Sequence, residues 1–135
     1  MANLTYYSAN KIQDYILGNV SFTNPTIWYL GISSTAPQVD GTGVTEPTTD
    51  PSYERVVIAN NKISFSSASS GEVANIASFQ FVESSINQGV VTHWVLYDAL
   101  TGGNMWQFGN LTNSRTVEIS TTLLLPIGRF TSTAE

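Results

Sequence analysis

The sequence predicts a mainly β protein: an antiparallel sandwich or partly closed barrel of about eight strands, with one short N-terminal helix. Three observations point there. Runs of β-branched and aromatic residues recur along the chain, clusters of Asn, Ser and Gly separate them, and only one stretch has helical periodicity. Within 135 residues, 41% hydrophobic content and fifteen aromatic side chains supply material for one core, so the chain reads as a single domain, 1–135.

The helix comes first, over residues 8–18. Ser8 is placed to cap Ala9–Leu17, Tyr7 and Ile12 stand at hydrophobic-staple positions, and Gly18 follows as a stop. Ile12, Tyr15 and Ile16 share a face that needs a partner, because so short a helix is marginal alone in water. After Pro25 come the strands: Thr26–Ile32, Tyr53–Ala59, Lys62–Ser66, Ile76–Val82, Gly89–Tyr97, Met105–Leu111, Arg115–Ile119, and one or two more within Thr122–Thr131. Ala59-Asn60-Asn61, Ser69-Ser70-Gly71, Asn87-Gln88-Gly89 and Thr112-Asn113-Ser114 read as the turns between them.

Residues 33–51 carry three prolines and no apolar period, which predicts a long loop. Long loops in compact domains usually bind something, and contact with a neighbouring subunit is the preferred reading here. The segment Gly89–Leu111 reads as a β-hairpin. Asp98 fixes its turn with an Asx-type bond, Gly102 and Gly103 supply the reversal within Asp98–Asn104, and Met105–Leu111 runs back. Trp94 and Trp106, one in each arm, are expected to stack across the strands with Leu96 and Phe108 as core.

Charged residues make up only 11% of the chain, and sixteen Ser and sixteen Thr take over polar positions. Ten acidic against five scattered basic residues give a net charge of −5, which disfavours nucleic acid and anionic membranes as partners. No apolar run reaches membrane-span length, and Met1–Tyr7 lacks the regions of a secretory signal, so synthesis in the cytoplasm is expected.

Site chemistry finds little to use. His93 is the only histidine; strand alternation puts it on the face of Val95 and Tyr97, away from Asp98, and no GxSxG is present, so no catalytic residue is assigned. One histidine and no cysteine leave no transition-metal set, and Asp40, Glu46 and Asp50 lack calcium-loop spacing and read as solvated carboxylates. No cofactor is expected, and no carboxylate pair suggests a hydrolase. Tyr15, Trp28 and Tyr53 are the candidates for an interface or ligand-facing surface, with Trp106 a further candidate platform.

Thr92-His93-Trp94 through Asp98-Ala99, then Gly102-Gly103-Asn104 and Gly109-Asn110-Leu111, resembles the THxxxxDAxxGGNxxxxGxL signature of small tailed-bacteriophage structural proteins, often labelled tail-fibre or minor tail proteins. The likeness extends over nearly the whole chain: the helix, Pro25 to Ile32, Ser52-Tyr53-Glu54-Arg55, and Ser67 to Gly71 follow in the same order. Thr45–Pro51 and Thr121-Thr122 depart from the pattern. The resemblance implies a non-enzymatic virion component, in the tail, a fibre or the head decoration, that packs against itself as a trimer or hexamer and against other virion proteins. Residues 9–17, 33–51 and 131–135 would be its contact elements. The alternative it leaves is a receptor- or glycan-binding module at a fibre tip.

Overall fold

The computed structural model describes residues 2–133. Along the chain run β1 (Ala2–Leu4), α1 (Tyr6–Gly18), β2 (Ile27–Ser33), β3 (Val56–Ala59), β4 (Glu72–Ala74), β5 (Phe79–Gln80), β6 (Gly89–Tyr97), β7 (Met105–Val117), β8 (Leu124–Leu125) and β9 (Thr131–Thr133). One antiparallel sheet of five strands, in the order β1-β7-β6-β2-β3, forms the first layer. Two antiparallel ribbons, β4-β9 and β5-β8, form the second. The fold is a mainly β sandwich, and its sheets do not close into a barrel.

Alternation along the strands explains the packing. On β2, Trp28, Leu30 and Ile32 point to one side; on β6, Trp94 and Leu96 join them, and all are buried. Phe65, Phe79, Phe81, Leu123, Leu125 and Phe130 close this inner core from the second layer. Phe130 is its keystone, with ring centroids 4.4 Å from Trp94 and 5.8 Å from Phe79. The opposite face of the sheet carries an outer core of Val95, Tyr97, Met105 and Phe108, against which Tyr29, Val39 and Val44 pack.

The hairpin contains two irregularities that the sequence does not announce. Between Leu96↔Gln107 and Tyr97↔Met105, β6 advances one residue and β7 two, so Trp106 is an inserted residue. Trp106 therefore lies in the inner core while Phe108, two residues on, lies in the outer. The expected Trp94–Trp106 stack with Phe108 is not formed: Trp94 packs on Phe130, and Trp106 meets Trp28 edge-on at 5.3 Å. Between Val91↔Arg115 and His93↔Asn110, β6 advances two residues and β7 five. The expected turn at Thr112-Asn113-Ser114 is thus absorbed as a bulge, and one long strand replaces two.

Other boundaries shift for identifiable reasons. Thr5, not Ser8, caps the helix, accepting from the Ser8 backbone N–H at 3.4 Å. Both hydroxyls donate to β7, Thr5 to the Met105 carbonyl (2.6 Å) and Ser8 to that of Trp106 (2.5 Å), which pins the first turn to the sheet. Asn19, in the left-handed region at φ 54°, ends the helix in place of Gly18. Ile12 is half-buried, but Tyr15 and Ile16 are exposed, so the apolar face expected to lean on the sheet does not.

Tyr53–Ala59 pairs only from Val56, and Ile76–Val82 contributes only Phe79–Gln80. Lys62–Ser66 is a turn: the Asn61 side chain accepts from the backbone of Ile63 and Ser64. In the second layer the buried Asn75 replaces a ladder. Its amide nitrogen donates to the carbonyls of Ala77 (2.8 Å) and Pro126 (3.0 Å), and its oxygen accepts from the Gly128 (2.9 Å) and Phe130 (3.0 Å) backbone. Side-chain bonds thus take up backbone groups that longer strands would pair. The chain's end is likewise structured as far as Thr133, which pairs with Glu72; residues 134–135 of the expected terminal contact lie outside the described residues.

Gly109 sits under the Trp94 ring, where a Cβ would fall 2.7 Å from Cε2 and Cζ2. Gly109→Ala is expected to destabilise the protein by about 1–3 kcal/mol through overpacking. Urea unfolding measures this, and an unchanged midpoint would refute the contact's importance.

Candidate functional site

The hairpin turn is built around Asp98. One carboxylate oxygen accepts from the Asn104 backbone N–H at 2.8 Å, the other from the Trp106 indole N–H at 3.1 Å and the Asn104 amide at 3.4 Å. Burial raises the Asp98 pKa, but the bonds from Asn104 and Trp106 outweigh it and hold the group below its usual range. Gly102 and Gly103 have φ of 61° and 76°, and a Cβ on Gly103 would stand 2.7 Å from the Asp98 carboxylate. This arrangement can fix a loop, with every strong acceptor of the carboxylate already engaged.

The same turn is held from outside by Arg55. Its guanidinium donates to the carbonyls of Ala99 (2.8 Å) and Gly102 (2.9 Å) and forks onto Glu46 at 3.0 and 2.8 Å. It also lies 3.7 Å over the Tyr97 ring. Both partners of the ion pair are largely buried, with side-chain exposures of 6% and 12%. Burial pulls the Arg55 pKa down, yet Glu46 more than compensates and the net shift is upward. Tyr53 donates its hydroxyl to Glu46 at 2.6 Å, and burial with the neighbouring Glu46 charge pushes its pKa far up.

The long loop is fastened at its other end by Asp50. Its carboxylate, 2% exposed, accepts from the Ser52 and Ser85 backbone and hydroxyls and from Gln88 at 2.8 Å. Burial pushes its pKa up, but the bonds from Ser85, Gln88 and Ser52 carry it well below the ordinary value. Glu46 and Asp50 are therefore structural groups inside the protein, in contrast to the solvated carboxylates expected from spacing. Asp40 alone is exposed, bonded to Thr42 at 2.6 Å and shifted downward chiefly by that bond.

The structure places the remaining candidates as follows. His93 is half-buried between Ser33 of β2 and Asn110 of β7, with its Nδ1 2.6 Å from the Thr92 hydroxyl. Burial lowers its pKa, an effect that its side-chain hydrogen bond to Asn110 partly offsets. Tyr53 is half-buried, with its ring stacked on Phe81 and its hydroxyl bound to Glu46. Trp106 is buried among Tyr7, Phe22 and Trp28, so it offers no open platform. Trp28 keeps 8% of its surface exposed, whereas Tyr15 keeps 56%. The structural roles of Arg55, Glu46, Asp50 and Asn75 have little local signal in the sequence: Arg55 ends the Ser52-Tyr53-Glu54-Arg55 run directly before the apolar Val56-Val57-Ile58.

Residues 3–133 match the family described as Podophage GP4 fiber I protein gp80. The chain belongs to this family. No curated protein matches it. The GP4 fiber I match identifies a tailed-phage fibre structural protein, in agreement with the resemblance carried by the hairpin signature. Among the described residues no helix is long and apolar enough to cross a membrane.

Two outcomes follow from the site's geometry. Glu46→Ala, which leaves the Arg55 charge buried without its carboxylate partner, is expected to cost about 3–5 kcal/mol in urea unfolding. Asp50 has a depressed folded pKa, so its contribution is complete above the ordinary value of 3.8 and fades as pH falls below it. The Tm of the native sequence should therefore drop more steeply than that of Asp50→Asn over roughly pH 5 to 2; parallel curves would contradict this.

Proposed function

We propose that this protein is a virion fibre subunit that acts by packing against copies of itself and neighbouring virion proteins, without an enzymatic step. The observation that carries this is the free end of α1. Tyr15, Ile16, Leu17 and Val20 are 56%, 65%, 81% and 55% exposed, and no charged residue separates them. Full burial of a side chain of this size is worth about 1.5–3 kcal/mol, so four of them can supply much of a modest subunit contact.

The chain as a whole is rich in Ser, Thr and Asn, which can form intersubunit hydrogen bonds with little side-chain entropy to lose. A closed ring of three or six copies would bury the patch equivalently in every subunit. The 33–51 loop has a different part in this reading. Its polar groups are bound to Arg55, Ser85 and Gln88 of its own chain, so it acts as a rigid outer wall and a secondary contact.

The test is oligomeric state by native mass spectrometry, with Ile16→Asp/Leu17→Asp as the variant. The native sequence should assemble, and the variant should remain monomeric with its stability changed by no more than about 0.5 kcal/mol, as for exposed positions generally. A variant that assembles like the native sequence would remove α1 as the contact.

A further inference from the structure

The wide bulge of β7 shapes the surface as well as the sheet. Residues 111–114 leave the ladder there and line a cleft of about 220 Å³ together with Leu125, Pro126 and Arg129 of the second layer. Leu111 and Leu125 are buried; what stands open is a rim of Thr112, Asn113, Arg115, Pro126 and Arg129, with Ile127, 64% exposed, next along the chain.

Two of the chain's five basic residues thus meet at one cleft, and no carboxylate lines it. Neither guanidinium has an ion-pair partner among the described residues, although the chain carries ten acidic side chains. Their backbones are fixed. Arg115 pairs with Val91 of β6, and Arg129 closes a turn in which its N–H donates to the Pro126 carbonyl at 3.0 Å while Asn75 holds Gly128. Converging like charges repel, and a carboxylate placed between them turns the repulsion into charge-assisted hydrogen bonds.

At about 220 Å³ the cleft falls below the roughly 300–1,000 Å³ of small-molecule sites and suits a protruding side chain. The chain presents one. Asp14 is exposed on α1 without an ion-pair partner among the described residues, and Leu17, one turn on, shares its face. Lys11, the cation of that helix, lies back over the Tyr7 ring. Glu46, Asp50 and Asp98, by contrast, are engaged in internal bonds.

We propose that Asp14 of one copy docks in the Arg115–Arg129 cleft of the next, with Leu17 laid against Pro126 and Ile127. This docking presupposes α1 as the assembly contact and supplies the surface that receives it. Helix and cleft are different surfaces, so the contact is heterologous: each copy offers one and accepts one, as a closed ring requires.

Sedimentation velocity of the full chain tests this with Arg115→Glu/Arg129→Glu, whose exposed positions should leave Tm unchanged. The variant should associate at least about tenfold more weakly than the native sequence, and adding Asp14→Arg to it should restore association. Mixed with Ile16→Asp/Leu17→Asp, which keeps its cleft, the arginine variant should form a one-to-one dimer and nothing larger. If the helix variant is monomeric while the arginine variant assembles like the native sequence, the cleft is not the seat and α1 docks elsewhere. A mixture that stays monomeric also overturns the docking. If both variants assemble like the native sequence, α1 itself is not the contact.

Discussion

The guanidinium of Arg55 joins three parts of the chain that have no backbone reason to meet: the approach to β3, the 33–51 loop and the β6–β7 turn. A buried cation must be matched by acceptors, and here they come from Glu46 and from two carbonyls of a turn that would otherwise be exposed. Fixing the turn from outside complements Asp98, which fixes it from within and bonds the Trp106 indole. Fixing the loop brings Val39 and Val44 over the outer core. With charges so scarce in this sequence, one fully matched pair organises an entire face of the sheet.

The second layer is organised by a different device. Its ribbons are two and three residues long, too short to hold together by ladder bonds, and the buried Asn75 supplies the missing connections. Phe130, whose backbone N–H binds Asn75, is thereby set against Trp94. Gly109 completes the arrangement from the sheet side, since a larger residue would displace the indole. The GxL end of the hairpin signature thus answers a packing demand made by the opposite layer.

Legibility in the sequence followed the range of the interactions. β6 was readable to the residue, because Val90, Val91, Trp94 and Val95 state a strand locally and Gly89 and Asp98 punctuate it. Asp98 and Gly103 were readable for the same reason. Thr5 and Ser8 both suit an N-cap, and only the carbonyls of Met105 and Trp106, a hundred residues away, decide how the two hydroxyls are used. Glu46 and Asp50 looked solvated because their partners lie across the fold or carry no sequence pattern. The Trp106 bulge was invisible, since inserting one residue leaves composition and spacing unchanged while moving every later side chain to the other face.

That bulge makes β7 a member of both cores at once. Trp106 belongs to the space between the layers and Phe108 to the space beneath the loop, with a single intervening residue. Opening the loop side would strip Phe108 and pull on the strand that seats Trp106, so neither core can loosen alone. That shared strand couples the sandwich to its outer wall, and amide hydrogens beneath the loop are expected to exchange with the global unfolding event instead of through local opening.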